Sequence, residues 1–167
     1  MATSLRGLRI GGFVALAAAL AVLAAGCGGS GSRSGVAGAR HVLSSATVNT
    51  RQVKKLGTIL VNSRGLTLYM FVRDKQKKVT CTSKSCVTIW PPLKIKSGRK
   101  PTAGGAARKS LLGVDKSPKG YRVVTYNRWP LYTYLLDKKP GQTTGQGVNQ
   151  SGGKWYVLSP SGQVIKK

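Results

Sequence analysis

A heptapeptide occurs twice in this chain, as LYMFVRD at 68–74 and LYTYLLD at 131–137, and both copies read Leu-Tyr-x-aromatic-x-x-Asp. The repetition constrains the fold more than any other feature, because two copies of one local pattern call for two copies of one local structure. In an extended segment Tyr69 and Phe71 share one face while Leu68 and Met70 share the other. A strand apolar on both faces belongs in the interior of a sheet. The same reading applies to Leu131, Tyr132 and Tyr134. Laying Tyr69 on Tyr132 puts Asp74 on Asp137 and Leu60-Val61 on Val123-Val124, and Trp90 falls near Trp155 at a slightly larger offset. Each unit then reads as strand, turn, motif strand, polar loop and Trp strand.

The rest of the pattern supports a mostly β domain of two related units. Alternation begins near Ala46, and GTILVNSRGLTLYMFV (57–72) is broken by Asn62-Ser63-Arg64-Gly65, a hairpin signal with glycine available for positive φ. LLGV and YRVVTY flank DKSPKG as a second hairpin, and KWYVLSPSGQVIKK closes the chain as strand, turn and short strand. The predicted domain spans 46–167, with units at about 46–93 and 111–167. Between them KIKSGRKPTAGGAARKS (94–110) is expected to be a mobile basic loop, because it has no apolar period. All ten aromatic residues after the first 27 positions lie between Tyr69 and Tyr156, which favours one shared core.

The N-terminal region reads as an address. Arg6 and Arg9 precede an apolar run from Ile10 to Ala25, too short for a spanning helix of about 20 residues and suited to an export signal over 1–26. The run ends in LAAGC, which resembles the bacterial lipoprotein signal, in which the cysteine, here Cys27, is acylated. Ordinary secretion with a free Cys27 and a single N-terminal membrane anchor are the alternatives. Residues 27–45 form the lipidated cysteine and a Gly/Ser/Ala-rich tether. The expected location is therefore extracytoplasmic, anchored to the bacterial cell membrane by an N-terminal lipid.

Charge and composition narrow the chemistry. The chain has 28 Lys and Arg against 3 acidic residues, all Asp, and its one His41 lies in the tether. With Arg6 and Arg9 removed alongside the signal, 26 cations face 3 carboxylates, a net charge of +23. The usual general bases and metal ligands are missing from the folded part, so no catalytic residue, no metal, no cofactor and no enzymatic role is expected. A Ser or Thr nucleophile would lack its base. In an exported compartment Cys81 and Cys86 are best read as a disulfide, with a redox dithiol or half of a soft-metal site as the alternative.

The stretches GTILVNSRGLTLYMFVRD, C-x4-C followed by WPPL, TYNRWPLYTYLLD, and PGQTTGQGV with WYVLSP resemble the bacterial lipoprotein family carrying a secreted repeat with a Tyr-x-(Phe/Trp/Tyr)-x-x-Asp motif. The resemblance spans roughly 57–160 and implies export, frequent lipidation and a duplicated domain of undefined molecular function. Asn62 and Gln142 stand where relatives are expected to be acidic, so a cation-binding role does not carry over.

Two functions remain from the sequence. In the first, a non-catalytic domain contacts anionic envelope polymers or lipids through Lys94, Lys96, Arg99, Lys100, Arg108 and Lys109. In the second, an accessory redox or cofactor-binding protein uses the cysteine pair and an aromatic surface. Specific nucleic-acid reading is not expected. The motif residues Tyr69, Phe71, Asp74, Tyr132, Tyr134 and Asp137, widened by Trp90 and Trp129, could form ligand platforms. The favoured reading is that the rings fill the core, with each Asp accepting backbone N–H groups in the turn after its strand and paired with surrounding cations. Cys27→Ser is expected to leave unprocessed or released protein, checked by membrane fractionation and gel mobility; parent-like behaviour would contradict lipidation.

Overall fold

The structure is a computed structural model that describes residues 46–74 and 78–167. The signal, Cys27 and the tether lie outside the described residues. The described residues belong to one compact unit, which holds all of their strands and both of their apolar clusters.

Each repeat begins with a hairpin. Strands β1 (Thr47–Val53) and β2 (Gly57–Asn62) pair antiparallel with Thr50 opposite Leu60. The turn after β2 is fixed by Asn62, whose Oδ1 accepts from the N–H groups of Arg64 and Leu66. Gly65 supplies the positive φ of 77° there. The chain then returns along β2 into the first motif strand, β3 (Tyr69–Phe71).

The first repeat continues through helix α1 (Lys84–Ile89), capped by Ser83 Oγ accepting from Cys86 N–H at 3.2 Å. This helix replaces the strand expected before Trp90, which instead ends α1 by donating to the Cys86 carbonyl at 2.8 Å. Cys86 on α1 is joined to Cys81, with Cα atoms 5.6 Å apart.

The segment expected to be a mobile basic loop is held at several points. Strand β4 (Lys94–Ile95) and strand β5 (Thr102–Ala103) lie within it, and β5 pairs parallel with β1. Ile95 is buried, Thr50 Oγ1 accepts from Ala106 N–H, and Arg108 N–H donates to Tyr126 Oη. Absence of an apolar period did not make the segment mobile, because backbone pairing and one anchor residue are enough to fix it.

The second repeat opens with β6 (Leu112–Lys116) and β7 (Arg122–Tyr126), paired with Val114 opposite Val124, and β4 adds to the other edge of β7. Asn127 and Arg128, at φ of 45° and 67°, turn the chain into β8 (Trp129–Pro130) and on to the second motif strand. This connection is one residue shorter than that of the first repeat. Leu68 N–H donates to Leu60, but Leu131 N–H donates to Val124. Leu60 is therefore equivalent to Val124, not Val123, correcting the constant-offset alignment. Burial agrees: Leu60 and Val124 share one cluster while Ile59 and Val123 share the other. A one-residue slip in a strand exchanges its faces.

The chain ends with β9 (Asn149–Gln150), β10 (Gly153–Leu158) and β11 (Val164–Ile165), the last two forming the expected terminal hairpin. The motif strands do not pair with the Trp segments of their own repeats. Strand β3 lies antiparallel to β10, with Phe71 opposite Trp155. The second motif strand lies against 89–93, with Thr133 N–H donating to Pro91 and Leu135 N–H to Ile89. Tyr69 and Tyr132 bridge the two strands by exchanging backbone hydrogen bonds of 2.8 and 3.0 Å. The alternate faces of this central ladder carry separate apolar clusters. Tyr69, Phe71, Tyr132 and Tyr134 enter one, and Leu68, Met70 and Leu131 the other. The core is thus divided in two, yet each part draws on both repeats.

Without reductant, alkylation should label neither Cys81 nor Cys86. Replacing both by Ser should lower stability by about 2 kcal/mol, the chain-entropy value for so short a loop, measured by urea unfolding.

Candidate functional site

The twin motif converges on the bridge between Tyr69 and Tyr132, and its side chains cross between repeats. The Tyr69 hydroxyl donates to Asp137 Oδ2 at 2.6 Å, and the Tyr132 hydroxyl donates to Asp74 Oδ2 at 2.7 Å. Each motif tyrosine therefore bonds to the aspartate of the other copy. The second oxygen of each carboxylate closes its own loop. Asp74 Oδ1 accepts from the N–H and hydroxyl of Thr80 at 2.8 and 2.6 Å. Asp137 Oδ1 accepts the same two groups from Thr144. The acceptor role in the following turn is as anticipated, and among the described residues the hydrogen-bond partners of both carboxylates are neutral and not the cations expected. These partners are neutral donors, able to satisfy a carboxylate in an interior where an unpartnered one is costly.

The rings cross as well. Phe71 stacks on Trp155 with centroids 4.1 Å apart, Trp155 on Trp90 at 3.9 Å, and Trp90 on Tyr134 at 4.2 Å. Ring members thus alternate in origin, with Phe71 and Trp90 from the first repeat and Trp155 and Tyr134 from the second. Tyr69 meets Trp90 edge-on at 5.5 Å and Tyr132 meets Trp155 at 5.1 Å. Pairs in such geometries add about 0.5–1.5 kcal/mol each beyond area burial. Gln150 ties the two indoles, accepting Trp90 Nε1–H on its side-chain oxygen and Trp155 Nε1–H on its backbone carbonyl. Gly145 lies flat against the assembly, where a Cβ would come within 2.9 Å of Trp90 and 3.0 Å of Tyr69.

Burial decides the role of these residues. Tyr69, Tyr132, Trp90, Trp155 and Asp74 are fully buried, and Asp137 is 3% exposed. A ligand cannot reach rings already stacked on one another, so the platform arrangement is not formed. Trp129 packs in part against the other cluster and does not extend this set. Burial, reinforced by the bonded carboxylate of Asp137, pushes the Tyr69 phenol well above its ordinary value; burial and the charge of Asp74 do the same for Tyr132. Burial also raises the Asp74 carboxyl, against the opposing effect of the Thr80 and Tyr132 hydrogen bonds. Both tyrosines are fixed as donors.

Among the described residues no group of three or more His, Cys, Asp or Glu side chains is placed to hold a metal ion. Lys94, Lys96, Arg99, Lys100, Arg108 and Lys109 are all exposed, on a backbone pinned to the sheets. Lys94 Nζ sits 4.5 Å from the centroid of the Tyr121 ring. Two features were missed in the sequence: the crossing between copies, and the Thr80 and Thr144 donors. The spacing of six and seven residues from Asp to a Thr in each polar loop was the available signal.

A duplicated β domain with an interlocked polar and aromatic centre defines a repeat protein whose copies act as one body. The chain belongs to the family described as a secreted repeat of unknown function, which matches twice, over residues 50–94 and 113–159. It is accordingly an exported protein. No curated protein and no solved structure matches it.

Tyr69→Phe and Tyr132→Phe should each destabilise the domain by about 1–3 kcal/mol at neutral pH, since a buried carboxylate loses a donor. The raised phenol values set a pH dependence. Below the unfolded value of 10.0 their contribution is complete, and above it the unfolded chain releases protons that the fold retains. Stability should therefore fall above that pH by about 1.4 kcal/mol per unit for each tyrosine. Urea unfolding from neutral to alkaline pH should show each Phe variant losing its share of the slope.

Proposed function

We propose that this exported protein is a non-catalytic domain, tethered to the membrane by lipid on Cys27, that binds anionic polymers or lipids of the envelope through its basic exterior. The observation that carries the proposal is the segregation of charge. Of the three carboxylate side chains, Asp74 and Asp137 are buried and Asp115 is half-buried in β6, while the six cations of 94–110 are exposed. An exterior of one sign attracts polyanions and concentrates them within about a Debye length, roughly 8 Å at physiological salt. The burial of the aromatic motif favours binding by this exterior over binding by the rings.

Association by release of condensed counterions gives a linear fall of log K with log salt, its slope set by the number of contacts. Retention of Ala39–Lys167 on isolated envelope material should fall steeply from about 50 mM to about 500 mM salt. Changing Lys94, Lys96, Arg99, Lys100, Arg108 and Lys109 to Gln should flatten the slope at an unchanged melting temperature, because their side chains lie outside the core. Salt-independent retention, or none at low salt, would overturn the proposal. Activity that survived the exchange but was lost in Cys81→Ser would support a redox role instead.

A further inference from the structure

We propose that a groove beside the first hairpin is a discrete site for a phosphate ester group, so that part of the anionic ligand is gripped at one place and not only attracted by overall charge. The inference deepens the polyanion reading and takes from it only the source of the ligand. The groove is open to solvent, has a volume of about 380 Å³ and is lined by Asn49, Thr50 and Arg51 of β1, Ser63 and Arg64 of the turn, and Gly105 beside Thr50. No carboxylate lines it. Its volume lies in the range of small-ligand sites, roughly 300–1,000 Å³.

Arg51 is positioned by neighbouring backbone. Arg51 rests its guanidinium against Gly65, where a Cβ would stand 3.3 Å from Nη2, and its stem against Gly141, where a Cβ would stand 3.7 Å from Cδ. Both glycines have positive φ, 77° and 85°, so a side chain at either would be strained, and one at Gly65 would also press on the guanidinium. Arg64 sits at the tip of the Asn62 turn, with its backbone N–H held by Asn62 Oδ1. The segment carrying Gly105 is docked on β1 by Thr50 Oγ1, which accepts from Ala106 N–H. Pro140 packs against Gly65, where a Cβ would stand 3.1 Å from it, and its turn is held by Gln142 Oε1, which accepts from the N–H groups of Lys138 and Lys139.

The chemistry of this lining suits a tetrahedral oxyanion. Two guanidiniums offer planar forks of donors, and the Asn49 amide and Ser63 hydroxyl can meet remaining oxygens. A guanidinium already supported by glycine backbone has less freedom to lose on binding. A lipid headgroup and a soluble or polymer-borne phosphate ester present the same group.

The test compares Ala39–Lys167 carrying Arg51→Gln with Arg64→Gln against a charge-matched control carrying Arg99→Gln with Lys100→Gln. Glycerol 3-phosphate and inorganic phosphate are titrated while backbone amide NMR shifts are followed. The expected result is saturable shifts confined to 49–51, 63–65 and 105 in the parent and the control, lost in the groove variant. Binding to phosphatidylglycerol vesicles, with phosphatidylcholine vesicles as reference, should weaken by on the order of tenfold or more in the groove variant and distinctly less in the control. Preference for the anionic vesicles over glycerol 3-phosphate assigns a lipid headgroup, and the reverse assigns a free or polymer-borne ester. Equal losses in the two variants, or absence of saturable shifts, overturn the groove. With equal losses and strong salt-dependent retention, the polyanion reading stands alone. Saturable phosphate shifts without retention on envelope material would keep the groove and remove that reading.

Discussion

The fold depends on satisfying two carboxylates in an interior that would otherwise expel them. Asp74 and Asp137 sit where water does not reach, each accepting from a phenol of the opposite repeat and from a threonine of its own loop. That demand fixes the relative position of the repeats more specifically than apolar packing would. A hydroxyl must arrive at hydrogen-bond distance, and here it comes from another half of the chain. The aromatic stack follows the same crossing, so the polar and apolar contacts enforce one alignment.

The sequence displayed much of this. Two motif copies, an alternating pattern and turn residues were enough to place β2, β3, β7 and β10, and the exported address identified Cys81 and Cys86 as a pair. What it did not display was partnership. Alternation says which face a residue takes, but not which strand lies beside it, so each motif strand read equally well beside its own Trp segment. The difference in turn length was equally silent, since Asn62–Leu66 and Tyr126–Trp129 both contain good turn residues. Helix α1 spans six residues, fewer than two turns, too few for an apolar period to register. In 94–110 the ordering comes from two-residue ladders and Ile95, which leave almost no trace in a composition rich in Gly, Lys and Ala.

Asn62 and Gln142, found where acidic residues were expected, each use a side-chain oxygen to accept two backbone N–H groups of a turn. A neutral amide performs that task as a carboxylate would, without adding negative charge to the turn. Two of the three carboxylates, Asp74 and Asp137, serve inside, while the six cations of 94–110 face water. The basic character is thus a property of where the few acids are placed as much as of how many lysines the chain carries.

The crossing also governs the order in which the domain can be completed. The two phenol–carboxylate bonds join residues separated by 68 and 58 positions, and β3 finds its ladder partner only in β10, near the C-terminus. Contacts of such separation form late, because a long loop must close before they contribute. Until the second repeat is available, the first lacks both the ladder partner of β3 and the phenol–carboxylate bonds of its motif, so neither repeat is complete without the other.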